Sequence, residues 1–80
     1  MTTNAKSTAQ VSTDKTAVIR YWFDGYDVQY ELELEGQQAG AGGFANEASI
    51  HTMASNLKDT GWSVTVEKGR YERVWVPDGV

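Results

Sequence analysis

The chain has no cysteine, one proline and one histidine in 80 residues. Without cysteine, disulfide staples and thiolate metal sites are excluded. That usage suits a reducing compartment, and a cytoplasmic location is expected. No apolar run approaches the ~20 residues that cross a bilayer. Residues 1–10 are polar and offer no apolar stretch for a signal peptide. A chain this short makes one domain with a small core, so several large side chains must be inside.

What the chain does have is acid, unevenly spread. Its net charge is −4. Residues 16–47 carry Arg20 against Asp24, Asp27, Glu31, Glu33, Glu35 and Glu47, while residues 48–80 balance to zero. An acidic surface repels nucleic acid and anionic lipid and attracts basic proteins. Neither direct nucleic-acid binding nor membrane binding is therefore expected.

Residues 26–35 alternate without a break. Tyr26, Val28, Tyr30, Leu32 and Leu34 are apolar, and Asp27, Gln29, Glu31, Glu33 and Glu35 are polar. A strand turns successive side chains to opposite faces, so one face enters a core and the other meets water. Alternate residues stand roughly 6.6 Å apart. The open face thus carries carboxylates at nearly the repeat of phosphates along a nucleic-acid strand.

Residues 1–14 lack periodicity and aromatics and are expected to be a disordered or weakly ordered polar tail. The domain spans 15–80. Residues 16–23 alternate as a first strand, and Asp24-Gly25 predicts a two-residue type I′ hairpin turn. That turn pairs Phe23 with Tyr26, Tyr21 with Val28, Ile19 with Tyr30 and Ala17 with Leu32, with every apolar residue on one face. Residues 36–43 hold four glycines and suggest a flexible connection.

From Asn46 to Lys58 the period becomes helical, with Ile50, Met53, Ala54 and Leu57 on one stripe. Asn46 is the expected N-cap, Phe44 is placed to fold back on Ile50, and Gly61 marks the far end. Residues 62–68 and 71–76 read as two more strands with a turn at Lys68-Gly69-Arg70. Two loop geometries compete there. One sends Tyr71, Arg73 and Trp75 to the core. The other sends Val74 and Val76, and is preferred because it keeps Arg73 out. The expected fold is α+β, ββαββ, with a four-stranded antiparallel sheet and one helix on one face. Ile19, Tyr21, Val28, Tyr30, Leu32, Val64 and Val66 would meet the helix stripe.

Three constellations carry a functional suggestion. Asp27, Glu31, Glu33 and Glu35 form either a solvated outer face or an anionic strip that imitates a phosphate backbone. A glycosidase-like pair needs a cleft and one acid of raised pKa, which an open sheet face does not supply. Arg20, Trp22, Tyr71, Arg73 and Trp75 are candidates for an aromatic and arginine patch on the same face. Such residues stack bases or anchor protein contacts, and the nearby acids disfavour the former. Alternatively Trp75 or Tyr71 simply completes the core. Gly40-Ala41-Gly42-Gly43 precedes a helix but lacks the Lys-Ser/Thr of a phosphate loop. His51 has no cysteine or histidine partner for a metal. Ser49, His51 and Asp59 share a helix at a spacing that makes no nucleophile–base–orienter set. No enzyme activity, cofactor or metal is expected.

The polar start, the Asp24-Gly25 hairpin, the acidic row and the segment Gly61-Trp62-Ser63-Val64-Thr65-Val66 together resemble the small inhibitors of host defence encoded by phages and mobile elements, anti-CRISPR proteins above all. The resemblance is one of size and type over residues 15–76. It implies a non-catalytic inhibitor that blocks a nucleic-acid site or a subunit contact. The expected partner is a protein with a basic surface, such as a nucleoprotein complex. Asp27, Glu31, Glu33, Glu35, Trp22, Arg20, Tyr71 and Trp75 are the expected contact residues. The alternative is a self-associating structural or interaction module acting through the aromatic face. The protein itself would be a monomer or homodimer.

Overall fold

A computed structural model describes residues 15–79. The expected polar tail at residues 1–14 lies outside the described residues. In chain order the elements are β1 (Thr16–Phe23), β2 (Val28–Leu34), β3 (Gln37–Phe44), α1 (Ala48–Asp59), β4 (Ser63–Glu72) and β5 (Val74–Pro77). The class is α+β with one helix among the described residues, as expected. The sheet, however, has five strands in the order β3-β2-β1-β4-β5, not four.

The difference begins at residues 36–43, which form a strand instead of a flexible connection. Glu35 and Gly36 both have positive φ, 52° and 81°. They make the two-residue turn that joins Leu34 to its partner Gln37. Glycine gives β3 no alternating pattern to read, yet it makes room for its neighbours. The Tyr30 ring lies over Gly42, where a Cβ would meet it at 3.3 Å. The ring then stacks on Phe44 at 5.2 Å between centroids. An aromatic laid across a strand glycine supplies the packing that the glycine lacks.

The extra strand also changes the sheet from antiparallel to mixed. Three strands before the helix send the chain back in the direction of β1. β4 therefore runs parallel to β1, pairing Ala17 with Val64 and Ile19 with Val66. The pairs β1–β2, β2–β3 and β4–β5 are antiparallel.

Two turns differ from expectation. Asp24-Gly25 does not make a type I′ turn; Phe23 pairs with Val28 across a four-residue loop. Asp24 explains the wider loop. Its carboxylate accepts hydrogen bonds from the Tyr26 and Asp27 amides, both at 2.8 Å, and from the Gln29 side chain at 2.9 Å. Backbone donors from Asp27 and Tyr26 hold the Asp24 carboxyl below its usual pKa. The register thus slips by two residues from the expected one: Ile19 faces Leu32 and Tyr21 faces Tyr30. A slip of two preserves parity, so residues 17–23 and 28–34 keep their expected faces, while Tyr26, expected on the core face opposite Phe23, lies in the loop and is exposed. The last hairpin turns at Arg73, φ 74°, and not at Gly69. Val76 pairs with Arg70 on the helix side, and Tyr71 with Trp75 on the other, so Arg73 stays out of the core as expected, but Val74, expected in the core beside Val76, is exposed.

The core lies between sheet and helix. Ala17, Ile19 and Ile50 are fully buried, with Tyr21, Val28 and Ala54 close behind. Tyr30, Leu32, Met53, Leu57, Val64 and Val66 pack around them, half-buried. The helix sits on β4 and β1. Its N-cap is Glu47, not Asn46, and no side chain caps it. The Glu47 carboxylate accepts a hydrogen bond from the Tyr21 hydroxyl instead, tying the helix start to β1. At the other end Thr60 caps Asn56 and Leu57 carbonyls, and Lys15 donates to the Thr60 carbonyl at 3.2 Å.

Candidate functional site

The site is the sheet face opposite the helix. Strand alternation places Val18, Arg20 and Trp22 of β1 there, beside Gln29, Glu31 and Glu33 of β2. The parallel register brings Thr65, Glu67 and Gly69 of β4 level with them. Tyr71 and its partner Trp75 of β5 complete the face. Among the described residues no element covers it.

Three aromatics meet around Gly69. Trp22 pairs with Gly69 in register and stacks on Tyr71, ring centroids 4.8 Å apart and planes inclined by 27°. Trp75 lies on Gly69 itself and donates its indole N–H to the Tyr21 carbonyl at 3.1 Å. A Cβ at Gly69 would stand 2.6 Å from the Trp75 ring and 2.2 Å from the Val76 carbonyl oxygen. Only glycine lets β5 and its tryptophan approach so closely. Tyr71 remains 49% exposed, so the cluster is a surface patch and not an extension of the core.

Arg20 sits where the aromatic and acidic halves of the face join. Its guanidinium reaches Glu33 at 3.2 Å and Glu67 at 3.4 Å, and lies 5.6 Å from the centre of the Trp75 ring. All three charged side chains are at least a third open or nearly so, so each bridge is worth only about 0–1 kcal/mol. Their effect is chiefly on position: Arg20 is held flat against the face, and two carboxylates are partly neutralised. Among the described residues Glu31 has no ion-pair partner.

Of the expected contact residues, Arg20, Trp22, Glu31, Glu33, Tyr71 and Trp75 share this face. Asp27 and Glu35 do not belong to the row. β2 runs only from Val28 to Leu34. Asp27 falls in the preceding loop, and Glu35 in the left-handed turn that follows. Arg73 likewise occupies a turn. The expected strip of four carboxylates is thus two on β2, with Glu67 across β1 as a third. Sequence reasoning missed Glu67 and Gly69. The signal for Gly69 was present, since a glycine inside a strand pattern marks a close backbone approach.

His51 is exposed on the helix, and no hydrogen bond joins it to Ser49 or Asp59. Among the described residues no group of three or more His, Asp or Glu side chains is arranged to hold a metal. None of their helices is long and apolar enough to cross a membrane. Compared with protein-family models, with curated proteins and with solved structures, the chain matches none.

Proposed function

We infer that this chain is a non-enzymatic binding module whose open sheet face docks onto a basic surface of a protein partner. The observation that carries the reading is the contiguous Trp22–Tyr71–Trp75 patch, set beside Glu31, Glu33 and Glu67 on a face that no described element covers. Trp, Tyr and Arg are the residues that dominate interface energetics when packed at a centre and rimmed by polar groups. The carboxylates supply steering and choice of partner more than raw affinity. Against Arg20, they leave the face net negative, which disfavours nucleic acid as the ligand.

A nucleic-acid-handling complex is the partner class that this charge favours, and inhibition of a host defence complex fits it. The mechanism is steric occlusion anchored by the aromatics rather than close imitation of a phosphate strand. Imitation requires an unbroken row of acids, and here Arg20 bridges two of the three. The aromatic face is a poor surface for self-association, because two copies would bring net negative faces together.

The test is retention of proteins from a lysate of the native organism by immobilised chain, with two variants. Trp22→Ala removes the anchor, and Glu31→Lys reverses the unpaired acid. The same partner should be lost by both and released by rising salt. Where that partner binds nucleic acid, excess nucleic acid should displace the chain. A partner held equally by wild type and both variants would refute this use of the face.

A further inference from the structure

The sheet runs on past the start of the helix. Phe23 ends β1 opposite Val28, and Lys68 of β4 stands level with Tyr21. Residues paired across strands share a face, and Tyr21 and Val28 are core residues, so all four side chains lie on the helix side. Asn46 and Glu47 approach them from the segment that leads into α1. Together these residues enclose a cleft of about 360 Å³. Small-molecule sites begin near ~300 Å³ and combine apolar walls with a few convergent polar groups. The groove beside Met53 and Leu57 is larger, about 580 Å³, but holds no charged group to choose a ligand.

Opposite charges face this cleft without meeting. Lys68 and Glu47 both line it, yet they form no ion pair. Among the described residues no hydrogen bond or ion pair holds the Lys68 ammonium or the Asn46 side-chain amide. The Glu47 carboxylate accepts a hydrogen bond from the Tyr21 hydroxyl and keeps lone pairs for further donors. Phe23 is 65% exposed and gives the cleft an apolar wall open to water.

We propose that this cleft binds a free α-amino acid with an apolar side chain. Glu47 takes the ammonium, Lys68 and the Asn46 amide take the carboxylate, and the side chain lies against Phe23. Charge selects this class of ligand. The Asp78 amide donates to the Lys68 carbonyl at 3.3 Å, and the Asp78 charge acts on the Tyr21 hydroxyl. The cleft therefore sets two carboxylates against one ammonium. A phosphate or other dense anion would meet both carboxylates, and a bare cation would meet Lys68. A zwitterion satisfies both signs at once, with the donors and acceptors already in place. A ligand of so few atoms in an open cleft binds with a dissociation constant on the order of millimolar.

Titration of the isotope-labelled full chain with L-phenylalanine, followed by amide chemical shifts, tests this. Saturable shifts are expected at Tyr21, Phe23, Asn46, Glu47 and Lys68, with half-saturation on the order of a millimolar. Hydrocinnamate lacks the ammonium, phenethylamine lacks the carboxylate and glycine lacks the side chain. Each should bind at least about tenfold more weakly than phenylalanine. Lys68→Gln and Glu47→Gln should each weaken phenylalanine by a similar factor. Their folds should survive, because both positions are exposed and a glutamine at position 47 still accepts from Tyr21; circular dichroism melting checks that. Absence of saturable shifts up to roughly 20 mM overturns the proposal. So do shifts centred elsewhere on the chain, analogues that bind as well as phenylalanine, or glutamine variants that bind it normally.

Discussion

Gly69→Ala is the substitution in which the architecture of the aromatic face is most exposed to test. The added methyl would lie 2.2 Å from the Val76 carbonyl oxygen and 2.6–2.7 Å from the Trp75 ring. The first contact is about 1 Å short of an ordinary van der Waals distance, and the obstacle is backbone, not the far end of a flexible side chain. Relief requires β5 to move away from β4. The ladder between them is only four residue pairs long, and Gly69–Pro77 is one of its ends. Moving β5 also withdraws the Trp75 indole from the Tyr21 carbonyl. Overpacking at about 1–3 kcal/mol, plus one or two lost hydrogen bonds at ~0.5–1.5 kcal/mol each, puts the cost near 2–4 kcal/mol. A domain of this size has only about 3–10 kcal/mol in total, so the loss is large. Gly40→Ala is the control, because nothing lies within 4 Å of a Cβ there. It should shift stability by less than about 0.5 kcal/mol, or raise it slightly. Urea titration followed by tryptophan emission and by far-ultraviolet circular dichroism measures both. If Gly69→Ala proved as stable as Gly40→Ala, the close approach of β5 to β4 would be wrong.

Two further outcomes are expected. Ile50→Ala, at a fully buried site, should destabilise by roughly 2–5 kcal/mol, while Glu31→Ala on the open face should cost less than about 0.5 kcal/mol; reversal of that order in the same titration would invert the two faces. Burial, reinforced by the hydrogen bond to Glu47 and the Glu47 and Asp78 charges, pushes the Tyr21 hydroxyl up to about 12 from its ordinary 10.0. In the unfolded chain it ionises first, so its contribution is complete below pH 10 and is lost as pH rises towards about 12. Alkaline unfolding of wild type against Tyr21→Phe isolates this; equal pH dependence in the two would refute the Tyr21–Glu47 link.

The parts of the fold legible in the sequence are those in which side chains alternate. β1, β2 and the helix stripe carry large apolar groups at the required periods, and Ile19, Tyr21, Val28, Ile50 and Ala54 are buried as expected. β3 was illegible for a physical reason. Its pattern of Gly40, Ala41, Gly42 and Gly43 has no side chains to alternate, and the packing over it comes from Tyr30 and Phe44. Strand formation there is a property of the neighbour, not of the segment. One missed strand then changed the direction of everything after the helix, which is why an antiparallel sheet was expected where β1 and β4 run parallel.

The candidate site was legible in part, and the part that was not alters its chemistry. Arg20 and Trp22 share a face by parity alone, and that needs no register. Which acids meet Arg20 depends on register between strands. Directly opposite Arg20 stand Glu31 on β2 and Glu67 on β4. Its bridges run to Glu67 and, diagonally, to Glu33. Glu31 is thereby left as the acid without an ion-pair partner on the face. A strip judged only from residues 26–35 looks like four equivalent carboxylates. With Asp27 and Glu35 removed to turns, and Arg20 drawn across the strip from β1, the free charge is concentrated near one residue. Reversal of Glu31 should therefore weaken partner binding more than reversal of Glu33, whose charge Arg20 already offsets and whose loss leaves Arg20 bridged to Glu67. Titrating each Glu→Lys variant against the captured partner measures the difference. Equal losses would mean that the bridges to Arg20 do not persist in solution and that the acids act as one solvated row.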